Sequence, residues 1–218
     1  MSSQVSFRCY QPADLPACAG IAAAAFPLAA GRFSGEDVGK VMRGQIDGSL
    51  AMSNYAELAL ADGKVAGLIF GRFRSRSVLV DMWRTIRQIG LITVGFLRGS
   101  YGGRRKLMGL LGPGLRALSV LRRNMPASEA EVVLFAVAPQ YQGTGIGRAL
   151  MDRLVQQALR SQARSIAVPT DETASYWFYE KYGFTRCAEF DDPLESYFAN
   201  RPIKGYIYQL LLQKAEGL

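Results

Sequence analysis

Apolar and polar side chains alternate over residues 5–10, which predicts a first strand. Pro12-Ala13-Asp14 then opens an Ala-rich helix reaching about residue 26, with Pro at an early helical position. Ser34-Gly35-Glu36-Asp37 resembles a second helix start, with Ser34 as N-cap and acids in the first turn, and predicts a helix to about residue 46. Residues 55–61 and 64–73 are β-rich runs on either side of Asp62-Gly63, a strong hairpin signal. The nearly continuous apolar run 131–138 suits a buried central strand. Ile146, Leu150, Leu154 and Ala158 have helical spacing, so 145–161 reads as a helix. A short strand (165–168), a helix (172–182), a strand (184–190) and a last strand (203–212) follow. This order predicts one α/β (α+β) domain over residues 1–218, with a mixed sheet and no internal repeat.

Residues 74–128 break the pattern, being basic, Gly-rich and helical, and too long for a plain loop. On a helical wheel, 76–98 separates into an apolar side with Leu79, Met82, Trp83, Ile86, Ile89, Phe96 and Leu97 and a polar side with Arg76, Asp81, Arg84, Arg87, Gln88 and Arg98, a pattern that Leu91, Ile92 and Val94 break. A further helical piece, 104–111, is expected to be cut by Gly112-Pro113-Gly114 before a second piece at 115–123. A basic amphipathic hairpin of this kind suits three arrangements: a lid over the acceptor side of its own domain, peripheral contact with an anionic membrane, or a homodimer interface.

Charge sharpens that view. The chain carries 26 Lys and Arg against 18 Asp and Glu, a net +8. Residues 72–123 hold twelve of the bases and only one acid, Asp81, so this segment is +11. The other 14 basic and 17 acidic side chains leave the rest of the chain at −3. Nucleic acid is a poor fit, because the segment's aromatics (Trp83, Phe96, Tyr101) are too sparse for a stacking platform.

Histidine is absent, which excludes Ser-His-Asp and Cys-His catalysis and leaves too few ligands for a typical catalytic zinc. No metal site is expected. Acid–base work falls to carboxylates, tyrosines, lysines, cysteines or water. Cys9, Cys18 and Cys187 are an odd, widely spaced set, and the polar start Met1-Ser2-Ser3-Gln4 carries no signal-peptide pattern. With no apolar stretch of about 20 residues, a reduced cytoplasmic setting is expected, with peripheral membrane contact as its variant.

The most informative stretch is Val137-Ala138-Pro139-Gln140-Tyr141-Gln142-Gly143-Thr144-Gly145-Ile146-Gly147-Arg148, running from a buried strand straight into a helix. Glycines there let the backbone approach a ligand closely, and the free N–H groups and dipole of the helix start favour a phosphate or pyrophosphate. A purely structural role, close packing of helix on strand, is the competing reading. A P-loop would need Lys-Ser/Thr after its last glycine, where Arg148-Ala149 stands, and a dinucleotide fingerprint needs GxGxxG where GxGxG stands.

At Gln142-x-x-Gly145-x-Gly147 the chain resembles the acyl-CoA loop of the GNAT N-acetyltransferases, Gln/Arg-x-x-Gly-x-Gly/Ala. Phe135-Ala136-Val137-Ala138-Pro139 resembles the strand end before that loop. Trp177-Phe178-Tyr179-Glu180-Lys181-Tyr182-Gly183-Phe184 is similar to the family's aromatic-Tyr-Glu-Lys-x-Gly-Phe signature. The resemblance is specific over about 129–190, looser over 5–73, and does not extend to 74–128.

The resemblance implies a mostly antiparallel sheet flanked by helices, with the basic insertion between its third and fourth strands. The fourth and fifth strands would splay apart around the pantetheine arm of acetyl-CoA. Backbone of Phe135, Ala136 and Val137 would meet the thioester and pantetheine. Gln142, Gly143, Thr144, Gly145, Ile146, Gly147 and Arg148 would hold the pyrophosphate. Tyr179 matches the tyrosine that protonates the leaving thiolate, although Tyr176, Tyr179 and Tyr182 at helical spacing also read as a core stripe. Many members carry Asn seven residues before that tyrosine, where this chain has Glu172.

An attacking amine must be deprotonated. Glu131, six residues before Val137 and hence expected on the same strand face, is the candidate base, with a water relay as the alternative. The acceptor is then a small-molecule or peptide amine. The competing class is a non-catalytic acyl-CoA-binding or sensing module, which needs the glycine loop but neither Glu131 nor Tyr179.

Overall fold

The computed structural model describes residues 4–32, 36–74 and 104–212. Among them, one sheet contains β1 (Val5–Cys9), β2 (Tyr55–Ala61), β3 (Lys64–Phe73), β4 (Ala130–Val137), β5 (Ser165–Asp171), β6 (Thr185–Asp191) and β7 (Lys204–Leu211). Their order is β1-β2-β3-β4-β5-β7-β6, with every neighbouring pair antiparallel except β4 and β5. The helices are α1 (Leu15–Ala25), α2 (Pro27–Arg32), α3 (Glu36–Met52), α4 (Arg104–Asn124), α5 (Ile146–Arg160), α6 (Trp177–Tyr182) and α7 (Pro193–Ala199). This is the mixed, mostly antiparallel α/β architecture expected.

Each face of the sheet buries its own core. On one, the α5 stripe of Ile146, Leu150, Met151, Leu154 and Ala158 covers Ile69, Phe73, Val132 and Ile166. On the other, Cys18, Ile21 and Ala22 of α1 and Met42 and Ile46 of α3 cover Leu58, Leu68, Phe70, Leu134 and Ala136. A polar clamp fixes α5 to β2. The Glu57 carboxylate, 5% exposed, accepts from the Tyr55 hydroxyl and from Arg153 Nε at 2.7 Å. A buried carboxylate needs such partners, because its desolvation would otherwise cost several kcal/mol.

Several boundaries differ from expectation. Helix α3 runs on to Met52, and Ser34 lies outside the described residues. Helix α6 begins at Trp177 and not at 172, because Asp171 Oδ1 accepts from the Thr173 and Ala174 amides and ties that stretch into a turn. Helix α4 is continuous through Pro113, where two pieces were expected. Pro113 removes one helical hydrogen bond, but its clash falls on the carbonyl of Gly109. Packing of α4 on α7, with Gly109 against Tyr197, holds the turn. The hairpin reading of 76–98 lies outside the described residues, apart from what α4 itself shows. No helix among the described residues is long and apolar enough to cross a membrane.

Candidate active site

Strands β4 and β5 pair only through Ala130↔Ile166 and Glu131↔Ala167. Beyond Glu131 no further residue pair joins the two strands, while β4 continues along β3 and the other edge of β5 continues along β7. The loss of pairing opens a wedge whose walls are the backbone of β4 from Val133 onward and the outer half of β5. Phe135, Ala136 and Val137 lie along the β4 wall.

Beyond that wall stands the glycine loop. Pro139–Tyr141 forms one 3-10 turn, and Gln142 Nε2 donates back to the Val137 carbonyl at 3.2 Å. Thr144 Oγ donates to the Tyr141 carbonyl at 2.6 Å. Gly143 and Gly145 adopt φ of +77° and +90°, values an L side chain rarely takes, so glycine closes the loop without backbone strain. Gly145 is the N-cap of α5 and supplies no side-chain cap, which leaves the first amides of a 15-residue helix facing outward. Gly147 sits under Phe135, whose Cζ would lie 3.3 Å from an added Cβ. Arg148 is exposed at the same end, its guanidinium 5.5 Å from the Tyr182 ring. Gln142, Gly143, Thr144, Gly145, Gly147 and Arg148 are therefore brought together with the end of β4, while Ile146 turns inward as core.

Tyr179 is buried on the first turn of α6 among Phe135, Phe178, Phe184 and Tyr208, with ring centroids 5.5–6.4 Å away. Its hydroxyl makes no hydrogen bond among the described residues. Burial, and secondarily the Asp171 charge, pushes its pKa well above the ordinary phenol value, so it stays protonated at any working pH. Glu172, at the position where the family often has Asn, accepts from Arg201 at 2.9 Å.

Glu131 does not share the face of Val137, which corrects the expectation from spacing. Phe70 pairs with Leu134 but Gly71 pairs with Val132, so Val133 is an extra residue in β4. The bulge reverses the alternation. Ala130 and Val132 pack on the α5 side together with Phe135 and Val137, and Glu131 lies on the opposite face with Leu134 and Ala136. There it is ion-paired to Arg72 across the β3–β4 ladder. Its position along the strand is nonetheless the last paired residue before the wedge.

Three acids that sequence reading passed over gather at the far end of β5. Asp192 caps α7, accepting from the Leu194 and Glu195 amides at 2.8 and 2.9 Å. Glu195 in the same turn is driven up to about 7, first by burial and then by Asp171 and Asp192. The signal existed in Asp192-Pro193-Leu194-Glu195, an N-cap with Pro behind it and an acid at the third position. Because the folded pKa is raised, native protein holds a proton that the unfolded chain gives up near the usual carboxylate range. Stability contributed by the neutral form is whole at low pH and is lost as pH climbs to about 7. Glu195→Gln is thus expected to stabilise the protein by about 1–3 kcal/mol at pH 8 and to be nearly neutral at pH 4. Urea midpoints at the two pH values check this, and a pH-independent difference would refute it.

Residues 115–186 match the family model described as Acetyltransferase (GNAT) domain. That match covers about a third of the chain. Solved structures share its fold. The ribosomal-protein-S18-alanine N-acetyltransferase from Escherichia coli aligns with 99% of each chain at 15% identity and a TM-score of 0.57. The PaiA N-acetyltransferase from Thermoplasma acidophilum, solved with coenzyme A, aligns over 96% of this chain and 99% of its own, at 13% identity and 0.55. YncA from Salmonella typhimurium, described as a putative acetyltransferase with its cofactor acetyl-CoA, aligns over 98% and 96%, at 16% identity and 0.51. No curated protein matches this chain in sequence. At these identities the structural matches speak for the GNAT fold alone.

Proposed function

We propose that this protein transfers the acetyl group of acetyl-CoA to a primary amine by direct attack, without an acyl-enzyme. The observation that carries the reading is the β4–β5 wedge, opening after Glu131 and leading to an anion-binding helix start at Gly145. An extended pantetheine arm suits the wedge, with the backbone of Phe135, Ala136 and Val137 alongside it. The pyrophosphate suits the amides of 143–147, with Gln142 bracing the loop and Arg148 at its edge.

In the reaction the amine lone pair adds to the thioester carbonyl carbon. The carbonyl oxygen gains negative charge, which β4 amides left without a β5 partner are positioned to stabilise. The tetrahedral species then collapses, the C–S bond breaks and the thiolate departs. Tyr179 donates a hydrogen bond to it. Reference pKa values make full proton transfer from phenol to thiolate uphill by about 2 kcal/mol. Burial of Tyr179 makes that transfer harder still, so hydrogen bonding is the role the environment favours.

Removal of the amine proton falls to Glu131, directly or through water in the wedge. Its ion pair with Arg72 lies on the face away from α5, which favours the water-relayed route. Glu131→Gln is expected to lower the rate about tenfold near pH 6.5, where the amine is mostly protonated, with the deficit shrinking towards pH 9. A parallel pH profile in the variant would assign the proton to bulk water alone.

The test of the function itself is release of free CoA thiol from acetyl-CoA against a panel of polyamines, aminoglycosides, amino acids and peptides with free N-termini, with mass spectrometry of the products. Tight acetyl-CoA binding with no acetylated product across the panel and in cell extract would favour the non-catalytic acyl-CoA module.

A further inference from the structure

Among the described residues, helix α4 presents large apolar side chains on its outward side. At 100° per residue, Pro113, Ala117, Val120, Leu121 and Asn124 form its inward, half-buried side. The opposite side carries Met108, Leu115 and Leu118, which are 57%, 66% and 48% exposed, with exposed Ser119 and Arg122 among them. Scattered exposed leucines are ordinary on a protein surface, but here three large apolar side chains line up on the outer stripe of one helix. Exposed Arg122 and Arg123 stand at its C-terminal end and Arg116 beside it.

The charge pattern narrows what can cover this stripe. Helix α4 contains Arg104, Arg105, Lys106, Arg116, Arg122 and Arg123 and no acidic residue. A second copy would bring the exposed Arg116, Arg122 and Arg123 against the same three charges, so a symmetric helix–helix dimer is disfavoured. The partner must be acidic, extended and able to accept apolar side chains between its charges. An anionic lipid surface has those properties. Leucines and methionine enter the acyl boundary while arginines beside them meet the headgroup phosphates. A folded acidic protein would satisfy the arginines but would need its own apolar groove for the stripe.

We propose that the outer face of α4 docks the protein on anionic bilayers, with Met108, Leu115 and Leu118 as the inserting residues and Arg116, Arg122 and Arg123 as the headgroup contacts. The mode is peripheral, since no described helix can span a bilayer. The face is independent of the acetyl-CoA wedge. Helix α4 rests on α7 and β6, so docking through its outside leaves the sheet core untouched.

The experiment is co-sedimentation of the full chain with vesicles of phosphatidylcholine containing about one third phosphatidylglycerol, against vesicles of phosphatidylcholine alone. Binding is expected only to the anionic vesicles and should weaken as salt rises. Leu115→Ser with Leu118→Ser is expected to lower the vesicle partition coefficient at least about tenfold at low salt. Arg122→Gln with Arg123→Gln is expected to lower it comparably and to flatten its salt dependence. All four positions are at the surface, and acetyl-CoA binding and thermal midpoints of the variants report that the fold is intact. Absence of binding to anionic vesicles overturns the proposal. So does binding that ignores the leucine pair, because adsorption would then be electrostatic alone. Loss of vesicle binding in competition with polyglutamate, with the leucine variant behaving as wild type, points instead to an acidic protein partner.

Discussion

Gly145→Glu is expected to weaken acetyl-CoA binding by at least about 100-fold, the largest effect of any single substitution considered. Gly145 is the N-cap of α5 at φ +90°, next to the outward amides of the first turn. A glutamate there puts a carboxylate on two methylene carbons where the pyrophosphate of the ligand would meet those amides. It also cancels the favourable helix-start potential. The effect on the fold is far smaller. Nothing lies within 4 Å of a Cβ built at Gly145, so the cost is confined to holding an L residue in left-handed backbone, about 1 kcal/mol. Gly145→Ala separates the two contributions. It carries the same backbone strain without charge or bulk, and should lose only a few-fold in affinity. Calorimetric titration of acetyl-CoA into the three proteins, with thermal midpoints alongside, makes the comparison. Unchanged affinity in Gly145→Glu would remove the loop from the binding site.

The elements that build this loop are legible in the sequence because each is encoded locally. A buried apolar run, a glycine cluster and a helical stripe from Ile146 to Ala158 stand next to one another, and the chain has only one way to join them. The β2–β3 hairpin around Asp62-Gly63 is legible for the same reason. What is not legible depends on partners distant in sequence. A period of two places Glu131 and Val137 on one face, and only pairing with β3 reveals that Val133 is an extra residue. The pairing of Glu131 with Arg72, 59 residues earlier, is equally invisible to local pattern. Glu195 reads as an ordinary helix-start acid. Its raised pKa comes from burial in a layer where α7 meets α2 and α4, and from Asp171 on another strand. Pro113 misleads in the opposite direction. Local chemistry argues for a break, and tertiary packing of α4 on α7 overrides it.

Tyr179→Phe distinguishes a catalytic hydroxyl from an aromatic core position, because phenylalanine keeps every ring contact and deletes only the oxygen. The rings of Phe135, Phe178, Phe184 and Tyr208 would still surround it. If Tyr179 serves only as core, the rate is untouched. If its hydroxyl steadies the departing thiolate, kcat is expected to fall about 10- to 100-fold, with the dissociation constant for acetyl-CoA changing less than about twofold. The interaction is made mainly in the transition state, where sulfur carries the charge, and scarcely in the ground state. Stability should change by less than about 1 kcal/mol, since every ring contact is kept and the hydroxyl is not among buried polar atoms lacking a partner. The pH profile adds a second readout. Burial holds the phenol above its ordinary range, so wild-type activity should show no loss from Tyr179 ionisation up to pH 10. A thioester with a better leaving group needs less help at sulfur, so the deficit of the phenylalanine variant should shrink with an acetyl thioester of a more acidic thiol. A deficit that persisted unchanged would trace the effect to the geometry of α6 and leave the thiolate without a donor.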